Sequence, residues 1–563
     1  MIIRIQSSDG TKRIELSNND TVATLFKRVE DMFQLKDSSW QLYQDRNKKG
    51  LLKNVRQKLK AAKLNHGDML YLVSSNGASS RPSSSQSQES QNVVEDPIDL
   101  QLWKEDGRIK QSKSAAGIFK IDDLPTEPWD ELYLKGKEIK FMSFHAYMRQ
   151  QTAGVDKGKY FKLENFRAAC KMSANGTKHS VVDLPSAVTL NRQKYRHIDN
   201  IMFENRDIVD RFLNFWRVSG HQRMGYLYGR YTQHSEVPLG IKAEVCAIYE
   251  PPQDSSVNSL QFHDDPMQIV VDEIATKLGL VKVGWIITDL IAQDRSKGTV
   301  KNFRNSETHF LTAEECITAA YLQNKHLNSC RLASNGKYGS KFTTVVVSGD
   351  KDYQISFEGY QVSNQGMSLV ADDCLIPTID APELGYVRES SPELFVADVY
   401  YKEKDDYGNE VTKLARPLPL EYLLLDVPTA FSRESQFTCS NSISEFPACN
   451  RDAVGQVQSL SALSKYLSQF PADKFVDALS DFHVLVYLAT NDTISLKDEM
   501  GILLDAVRNH DNNLATHWSQ SASWSTLQEL MRHSNEAIGH HHSDAHSMDA
   551  EMREAIERSL QMQ

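Results

Sequence analysis

The stretch SSNGASSRPSSSQSQESQN, Ser74 to Asn92, constrains this chain more than any other. It holds almost no apolar side chain, so it cannot bury enough surface to offset the entropy of ordering it. It reads as a disordered Ser/Gln-rich linker, assigned to residues 75–98. It divides the 563-residue sequence into a short leading module and a long remainder. That remainder exceeds what one hydrophobic core supports, so several domains are expected.

The leading module, residues 1–74, alternates as strands do. Ile3 and Ile5 share one face of MIIRIQ, SSDG makes a turn, and Ile14 and Leu16 follow in a second strand. Val22, Leu25, Phe26, Val29 and Phe33 then recur at helical spacing, with Asp20 or Thr21 placed to cap the helix. WQLYQD and DMLYLV read as further strands. Strand, hairpin, helix, strands is the order of a ubiquitin-like β-grasp module, and another small α+β domain is the alternative.

Residues 99–190 lack clear periodicity. From Arg206 to Val347 helical and strand patterns alternate. DIVDRFLNFWRVSG is an amphipathic helix stopped by Gly220, MGYLYGRYT and IKAEVCAIYEPPQ are strands, and MQIVVDEIATKLGL and TAEECITAAYLQNKH are helices around the strand KVGWIITDL, before a final strand FTTVVVSG. This is a mixed α/β sandwich. TKLARPLPLEYLLLDVP reads as a strand pair. After Asp452 the text turns helical, in VGQVQSLSALSKYLSQF, PADKFVDALSDFHVLVYLA, SLKDEMGILLDAVRNHD and SASWSTLQELMRHS.

The formal charge of -10 and a pI near 6.0 argue against bulk electrostatic binding to nucleic acid or anionic membrane. The basic-aromatic run Asn191 to His197, NRQKYRH, could suit nucleic acid or a nuclear localisation signal, but a surface or groove-lining role is preferred. The first residues lack the apolar core of a signal peptide, and the apolar run Phe482 to Ala489 is too short to span a bilayer. A soluble protein of cytosol or nucleus, without membrane insertion, is expected. The seven cysteines, at 170, 246, 316, 330, 374, 439 and 449, include no CxxC and read as free thiols.

Within VGWIITDL, Val283 to Leu290, an apolar strand runs through Gly-Trp to an acidic residue. It resembles the segment in which the JAB1/MPN family of metal-dependent isopeptidases carries two zinc-binding histidines, G-W-x-H-S-H-P. Against that pattern Ile287 and Asp289 stand at the histidine positions. Thr312 and Glu315 of FLTAEEC stand at the downstream SxxD, and Gln222 of QRMGYLYG stands at the general-base Glu. A mononuclear zinc hydrolase needs about three protein ligands, a bound water and a carboxylate base. Ile287 cannot ligate and neutral Gln222 cannot act as base. Asp289 and Glu315 could hold a cation only weakly, and Asp289 reads better as a strand-end residue. No catalytic residue, metal site or cofactor is assigned.

The last segment, DAEMREAIERSLQ, places Met552, Ala555, Ile556, Ser559 and Leu560 on one narrow helical face, with Asp549, Glu551 and Glu554 crowding its N-terminal half. A small residue at the centre lets the backbone approach a shallow apolar patch. The pattern resembles a ubiquitin-interacting motif, which implies ubiquitin contact through Glu551, Met552, Ala555, Ile556, Ser559 and Leu560. A core or coiled-coil helix is the alternative, disfavoured because so short a helix is marginal alone. The preceding His540 to His542 and His546 could bind a metal loosely, and a polar spacer is preferred.

The long strings PSAVTLNRQKYRHIDNIMFEN, GYLYGRY, AEVCAIYEPPQ, DEIATKLGLVKVGWI, EECITAA, FEGYQVSNQ and LARPLPLEYLL resemble the nuclear protein localization protein 4 homolog family. The resemblance implies a multidomain α+β chain. It comprises a ubiquitin-like β-grasp domain (1–74), the linker (75–98) and a degenerate zinc-finger-like region without a full ligand set (99–190). An inactive α/β MPN sandwich (206–347), a C-terminal domain ending in helices (348–534), a His-rich linker (535–548) and the ubiquitin-interacting helix (549–562) complete it. It implies a non-catalytic adaptor that, with ubiquitin fusion degradation protein 1, recruits polyubiquitinated substrates to the valosin-containing-protein AAA ATPase. Those substrates are then unfolded and degraded, including in endoplasmic-reticulum-associated degradation. The implied location is cytoplasmic and nuclear, and peripheral at the endoplasmic reticulum. The MPN and helical domains are expected to receive ubiquitin and hold one copy unfolded in a groove. An active isopeptidase is the alternative. Two departures stand out. The family's zinc-stabilised loops are rich in Cys and His, whereas here Cys170, His179 and His145 offer three ligands at best where each structural zinc takes four. Many animal relatives also end in a ubiquitin-binding zinc finger in place of this helix.

Overall fold

The structure is a computed structural model. It describes residues 2–7, 10–17, 20–33, 40–43, 57–62, 64, 68–74, 93–109, 126–153, 161–169, 184–294, 296–392, 394–405, 407–432, 445–471, 474–491 and 499–534. The expected linker as far as residue 92, Cys170, His179, the His-rich spacer and the terminal helix with Glu551, Met552, Ala555, Ile556, Ser559 and Leu560 lie outside the described residues. The chain divides into two compact units, Met1–Ser90 and Gln91–Gln563, and both α and β elements build it.

In the first unit β1 (Ile2–Ser7), β2 (Gly10–Glu15), β3 (Trp40–Tyr43) and β4 (Met69–Ser74) form one sheet in the order β2-β1-β4-β3. The central pair β1 and β4 is parallel and both outer pairs are antiparallel. That order, with one helix α1 (Val22–Phe33), is β-grasp-like. Period-2 Ile3 and Ile5 meet the helical-period Val22, Leu25 and Val29 in one core, each fully buried.

The second unit is built on an eight-stranded sheet. Its strands are β5 (Asn200–Phe203), β6 (Met224–His234), β7 (Gly240–Tyr249), β8 (Val281–Thr288), β9 (Thr343–Gly349), β10 (Ile355–Val362), β11 (Leu424–Val427) and β12 (Thr429–Phe431). They run in the order β11-β10-β9-β8-β6-β7-β5-β12. β11 pairs with β10 at one edge and β12 with β5 at the other, yet only Pro428 separates them in sequence. The Pro428 carbonyl accepts from Ile201 N (2.9 Å), and Thr429 Oγ1 donates to Phe357 O (2.8 Å). The sheet therefore rolls until its two end strands, which are not paired with each other, lie close in space. The roll requires Gly359, because a Cβ there would lie 2.5 Å from Val427 O.

The sheet draws on residues before 206 and after 347, so the expected boundaries of a 206–347 sandwich do not enclose it. Period-2 patterns do not say which distant strand completes a sheet. The linker boundary at 98 also shifts. Asp96-Pro97 opens a helix, α2 (Pro97–Lys104), and Glu95 is buried against Arg331 with a 2.6 Å ion pair.

Helix α3 (Arg206–Ser219) forms where the sequence predicts it. Asn205 accepts from Ile208 N, and Gly220 ends the helix in the left-handed region at φ 73°. The helices Leu460–Leu467, Phe475–Leu479, Phe482–Thr490, Met500–Asn509 and Asn512–Ser519 gather with Tyr228, Cys246 and Tyr249 of the sheet into one core. The single helix expected over PADKFVDALSDFHVLVYLA is two. Asp481 interrupts it and caps the second by accepting from His483 N (2.8 Å) and Val484 N (3.3 Å).

The helical region is fastened to the sheet by charge. Glu250, Arg223 and Arg451 are at most 2% exposed. Glu250 Oε2 accepts from Arg223 Nε (2.6 Å) and Arg451 Nε (3.0 Å), and Glu250 Oε1 from Arg451 Nη2 (2.5 Å). Arg451 also donates to Arg211 O (2.8 Å) of α3. Burial alone would raise the Glu250 carboxyl, but the two guanidinium groups outweigh it and hold its pKa below the ordinary 4.5. The stability that this pairing contributes is therefore present above about pH 4.5 and lost as pH falls through the depressed folded-state value. Glu250→Ala leaves two buried cations unpaired and should cost about 3–5 kcal/mol. Denaturant unfolding at pH 7 checks the size, and the gap to wild type should narrow as the buffer is taken below pH 4.5.

Candidate functional site

The sequence points to Gln222, Ile287, Asp289, Thr312 and Glu315. The fold brings all five to the C-terminal end of β8, where the strand leaves the sheet. β8 is covered on both faces, so its side chains are sorted by alternation. Trp285 and Ile287 enter one core and Ile286 the other. Ile287, 3% exposed, packs with Met224 and Trp285. It fills the wall of the site with hydrocarbon.

Gln222 immediately precedes β6 and uses both ends of its amide. Its Nε2 donates to Val257 O (2.8 Å) and Leu290 O (2.9 Å), and its Oε1 accepts from Thr288 Oγ1 (2.9 Å) and Leu290 N (3.0 Å). Four hydrogen bonds exhaust its capacity. The side chain ties the segment before β6 to the end of β8 and has neither a charge nor a free lone pair for a proton.

Asp289 follows β8 directly, its N–H donating to Val347 O (2.8 Å). Thr312 and Glu315 open α4 (Ala313–Lys325) as a capping box. Thr312 Oγ1 accepts from Glu315 N (3.2 Å), and Glu315 Oε2 accepts from Thr312 N (2.9 Å). The spacing that resembles a metal-binding SxxD thus serves as a helix start. Between the two carboxylates lies Arg304, whose side chain is 2% exposed. Its Nε donates to Asp289 Oδ2 (2.7 Å), and its Nη1 and Nη2 donate to Glu315 Oε2 (2.8 Å) and Oε1 (2.6 Å). Nη1 also reaches Phe310 O (2.8 Å). The carboxylate pair does hold a cation, and the cation is a guanidinium.

Burial pushes the Asp289 carboxyl up, Arg304 draws it back, and the net direction is upward. Burial acts to lower the Arg304 pKa. Its hydrogen bonds to Glu315 and the charges of Glu315 and Asp289 outweigh that and raise it, so it stays charged. No group of three or more His, Cys, Asp and Glu that could hold a metal occurs among the described residues. Sequence reasoning missed Arg304, which sits in the aperiodic loop NFRNSETHF. The only signal for it was the need of two converging carboxylates for a counter-ion.

A second feature lies along the outer edge of the sheet. A groove of about 930 Å³ borders β11, with Phe141, Tyr360, Tyr422 and Leu425 among its lining and Lys194 and Glu421 at its rim. Arg192 of NRQKYRH stacks over the Tyr422 ring at 4.7 Å and pairs with Glu421 at 3.8 Å. Lys140 pairs with Asp426 (2.6 Å). The basic-aromatic run lines a groove of mixed charge.

Removing the cation alone should be costly, and removing the whole ion cluster should not be. Arg304→Leu is expected to lose about 3 kcal/mol in urea unfolding. Adding Asp289→Asn and Glu315→Gln to it should recover more than half of that loss, because no charge is then left without a partner.

Comparison with known proteins places nearly the whole sequence in one family. A family model described as the NPL4 family matches residues 223–532, the family's zinc binding region model matches 93–220, and one described as Nuclear pore localisation protein NPL4 matches 1–73. The Nuclear protein localization protein 4 homolog of Homo sapiens is 49% identical over 555 residues, covering 94% of this chain and 91% of its own. That of Drosophila melanogaster is 47% identical over 570 residues, covering 96% and 87%. The Nuclear protein localization protein 4 of Saccharomyces cerevisiae is 30% identical over 584 residues, covering 95% and 100%. Among solved structures, a β-grasp-fold-like domain of a hypothetical protein of Arabidopsis thaliana covers 16% of this chain and 92% of its own at 22% identity, but its TM-score of 0.13 carries no argument. A family model that matches more than half of the sequence, with relatives near half identity across almost its full length, establishes that this chain belongs to the NPL4 family.

Proposed function

We propose that the chain is a non-catalytic adaptor. With ubiquitin fusion degradation protein 1 it brings polyubiquitinated proteins to the valosin-containing-protein AAA ATPase for unfolding and degradation, including in endoplasmic-reticulum-associated degradation. The observation that carries the non-catalytic half is Arg304, held between Asp289 and Glu315 while Ile287 and Gln222 supply neither ligand nor base. In this reading the second unit contains an inactive MPN sandwich and a helical C-terminal domain. The β-grasp-like unit docks on the ATPase, and residues 549–562 act as a ubiquitin-interacting helix. Family membership supports the adaptor half. The relatives' name speaks of nuclear protein localization, which suits an adaptor working in both nucleus and cytoplasm. No described helix is long and apolar enough to cross a membrane, which suits a peripheral place at the endoplasmic reticulum.

The groove beside β11 has the properties to receive an extended segment of an unfolded ubiquitin. Its aromatic side chains accept any apolar residue, and its paired charges leave no net field to select a sequence. Phe141→Asp is expected to weaken capture of a destabilised ubiquitin several-fold in a binding titration, while leaving folded ubiquitin unaffected.

Polyubiquitin capture by the full chain and by a truncation ending at Ser547, each with and without ubiquitin fusion degradation protein 1, tests the whole reading. Binding by the full chain that falls without the terminal helix makes that helix the main receptor. Binding that persists assigns recognition to the second unit. Failure of the full chain to hold ubiquitin even with its partner contradicts the adaptor reading.

A further inference from the structure

The family's model of a zinc binding region covers residues 93–220, and the donors that this chain offers there do not fit a structural zinc. Between those limits the sequence supplies Cys170 and three histidines, His145, His179 and His197. His197 is fully spent. Its Nε2 meets Asn364 Oδ1 at 3.2 Å and its Nδ1 accepts from Asn328 Nδ2 at 3.2 Å, inside the core at 3% exposure. His145, 1% exposed, commits Nε2 to Asp99 Oδ1 at 2.8 Å. Its ring is packed edge-on by Trp103 and Phe144, with centroids 5.1 and 5.6 Å away. Of the region's Cys and His donors, from which structural zinc sites draw their four ligands, Cys170, His179 and the remaining His145 nitrogen are left.

The same residues show what holds the region instead. Asp99 of α2 accepts from His145 with one oxygen and from Lys341 Nζ with the other (2.6 Å). Lys341 is 3% exposed and also pairs with Asp96. Glu95 binds Arg331 through both its oxygens, at 2.7 Å to the backbone N and 2.8 Å to Nε. Below this charge layer lies a ring cluster. Tyr147 stacks on Tyr195 at 4.0 Å, Phe144 lies 4.4 Å from His197, and the Tyr195 and Tyr338 hydroxyls are 3.0 Å apart. Each strap joins described residues between 93 and 200 to the loop and strands of 326–342, so the two segments share a polar and aromatic core.

We propose that the described residues between 93 and 200 are fastened to the rest of the second unit without a structural metal, by the buried Asp99–His145–Lys341 network and the ring cluster beneath it. The inference does not depend on ubiquitin binding or on partners. Elemental analysis of the full chain, purified without chelator, should find far less than one zinc per chain. A thermal melt should be unmoved by a strong zinc chelator. Lys341→Met, which leaves Asp99 buried without its cation, should lower the melting temperature by several degrees with no change in metal content. His145→Gln, a milder change, should lower it less. One zinc per chain in the wild type, or a melting temperature that falls on chelation, overturns the proposal. A Lys341→Met protein that melts with the wild type also overturns it, since the network would then not be the fastening.

Discussion

A single residue, Pro428, stands between the strand that closes one edge of the central sheet and the strand that closes the other, and the rest of the second unit follows from that closure. Both faces of the rolled sheet are covered. The helices after residue 445 pack around Tyr228, Cys246 and Tyr249, and the segment 375–423 with α4 packs around Trp285 and Ile287. β8 runs through the middle and is buried on both sides, which is why VGWIIT is nearly all apolar. Polar chemistry is left to the ends of the strands, and the candidate site sits at one of them.

Two ion clusters then tie elements together with the same chemistry. Glu250 between Arg223 and Arg451 joins the helical region to the sheet. Arg304 between Asp289 and Glu315 ties the end of β8 to the start of α4. A guanidinium is planar, permanently charged and able to donate to two carboxylates at once, so it neutralises such a pair. A metal in the same place would need neutral histidine or further carboxylate ligands, and the neighbouring positions hold Ile287 and a saturated Gln222. The site is a packed and hydrogen-bonded part of the second unit, and its role as a non-catalytic scaffold belongs to the proposed function.

Much of this was legible from residue type and period. Ile3, Ile5, Val22, Leu25 and Val29 declare a strand and a helix that share a core. Gly220 marks the end of α3, and the sorting of Trp285 and Ile287 from Ile286 follows from alternation. What was not legible depends on distance in sequence. Nothing local in LLLDVPTAF says that its two halves pair with strands on opposite edges of the sheet. Arg304 lies eleven residues before Glu315 in a loop without period, so its place between two carboxylates is decided by tertiary structure alone. Thr312 and Glu315 were ambiguous for another reason, since a capping box and a metal-binding pair share one spacing, and only the direction of the Glu315 oxygens separates them. The linker boundary failed because Asp96-Pro97 is short and polar, although it is also a helix start.

The central claim is that Arg304 has replaced metal chemistry at the end of β8. It is tested most directly by incubating the purified full chain with a panel of ubiquitin dimers, with and without added zinc, and following cleavage over hours. The account predicts no cleavage under any condition, and the same result for Asp289→Ala. Zinc-dependent cleavage that a chelator blocks and Asp289→Ala abolishes would contradict it.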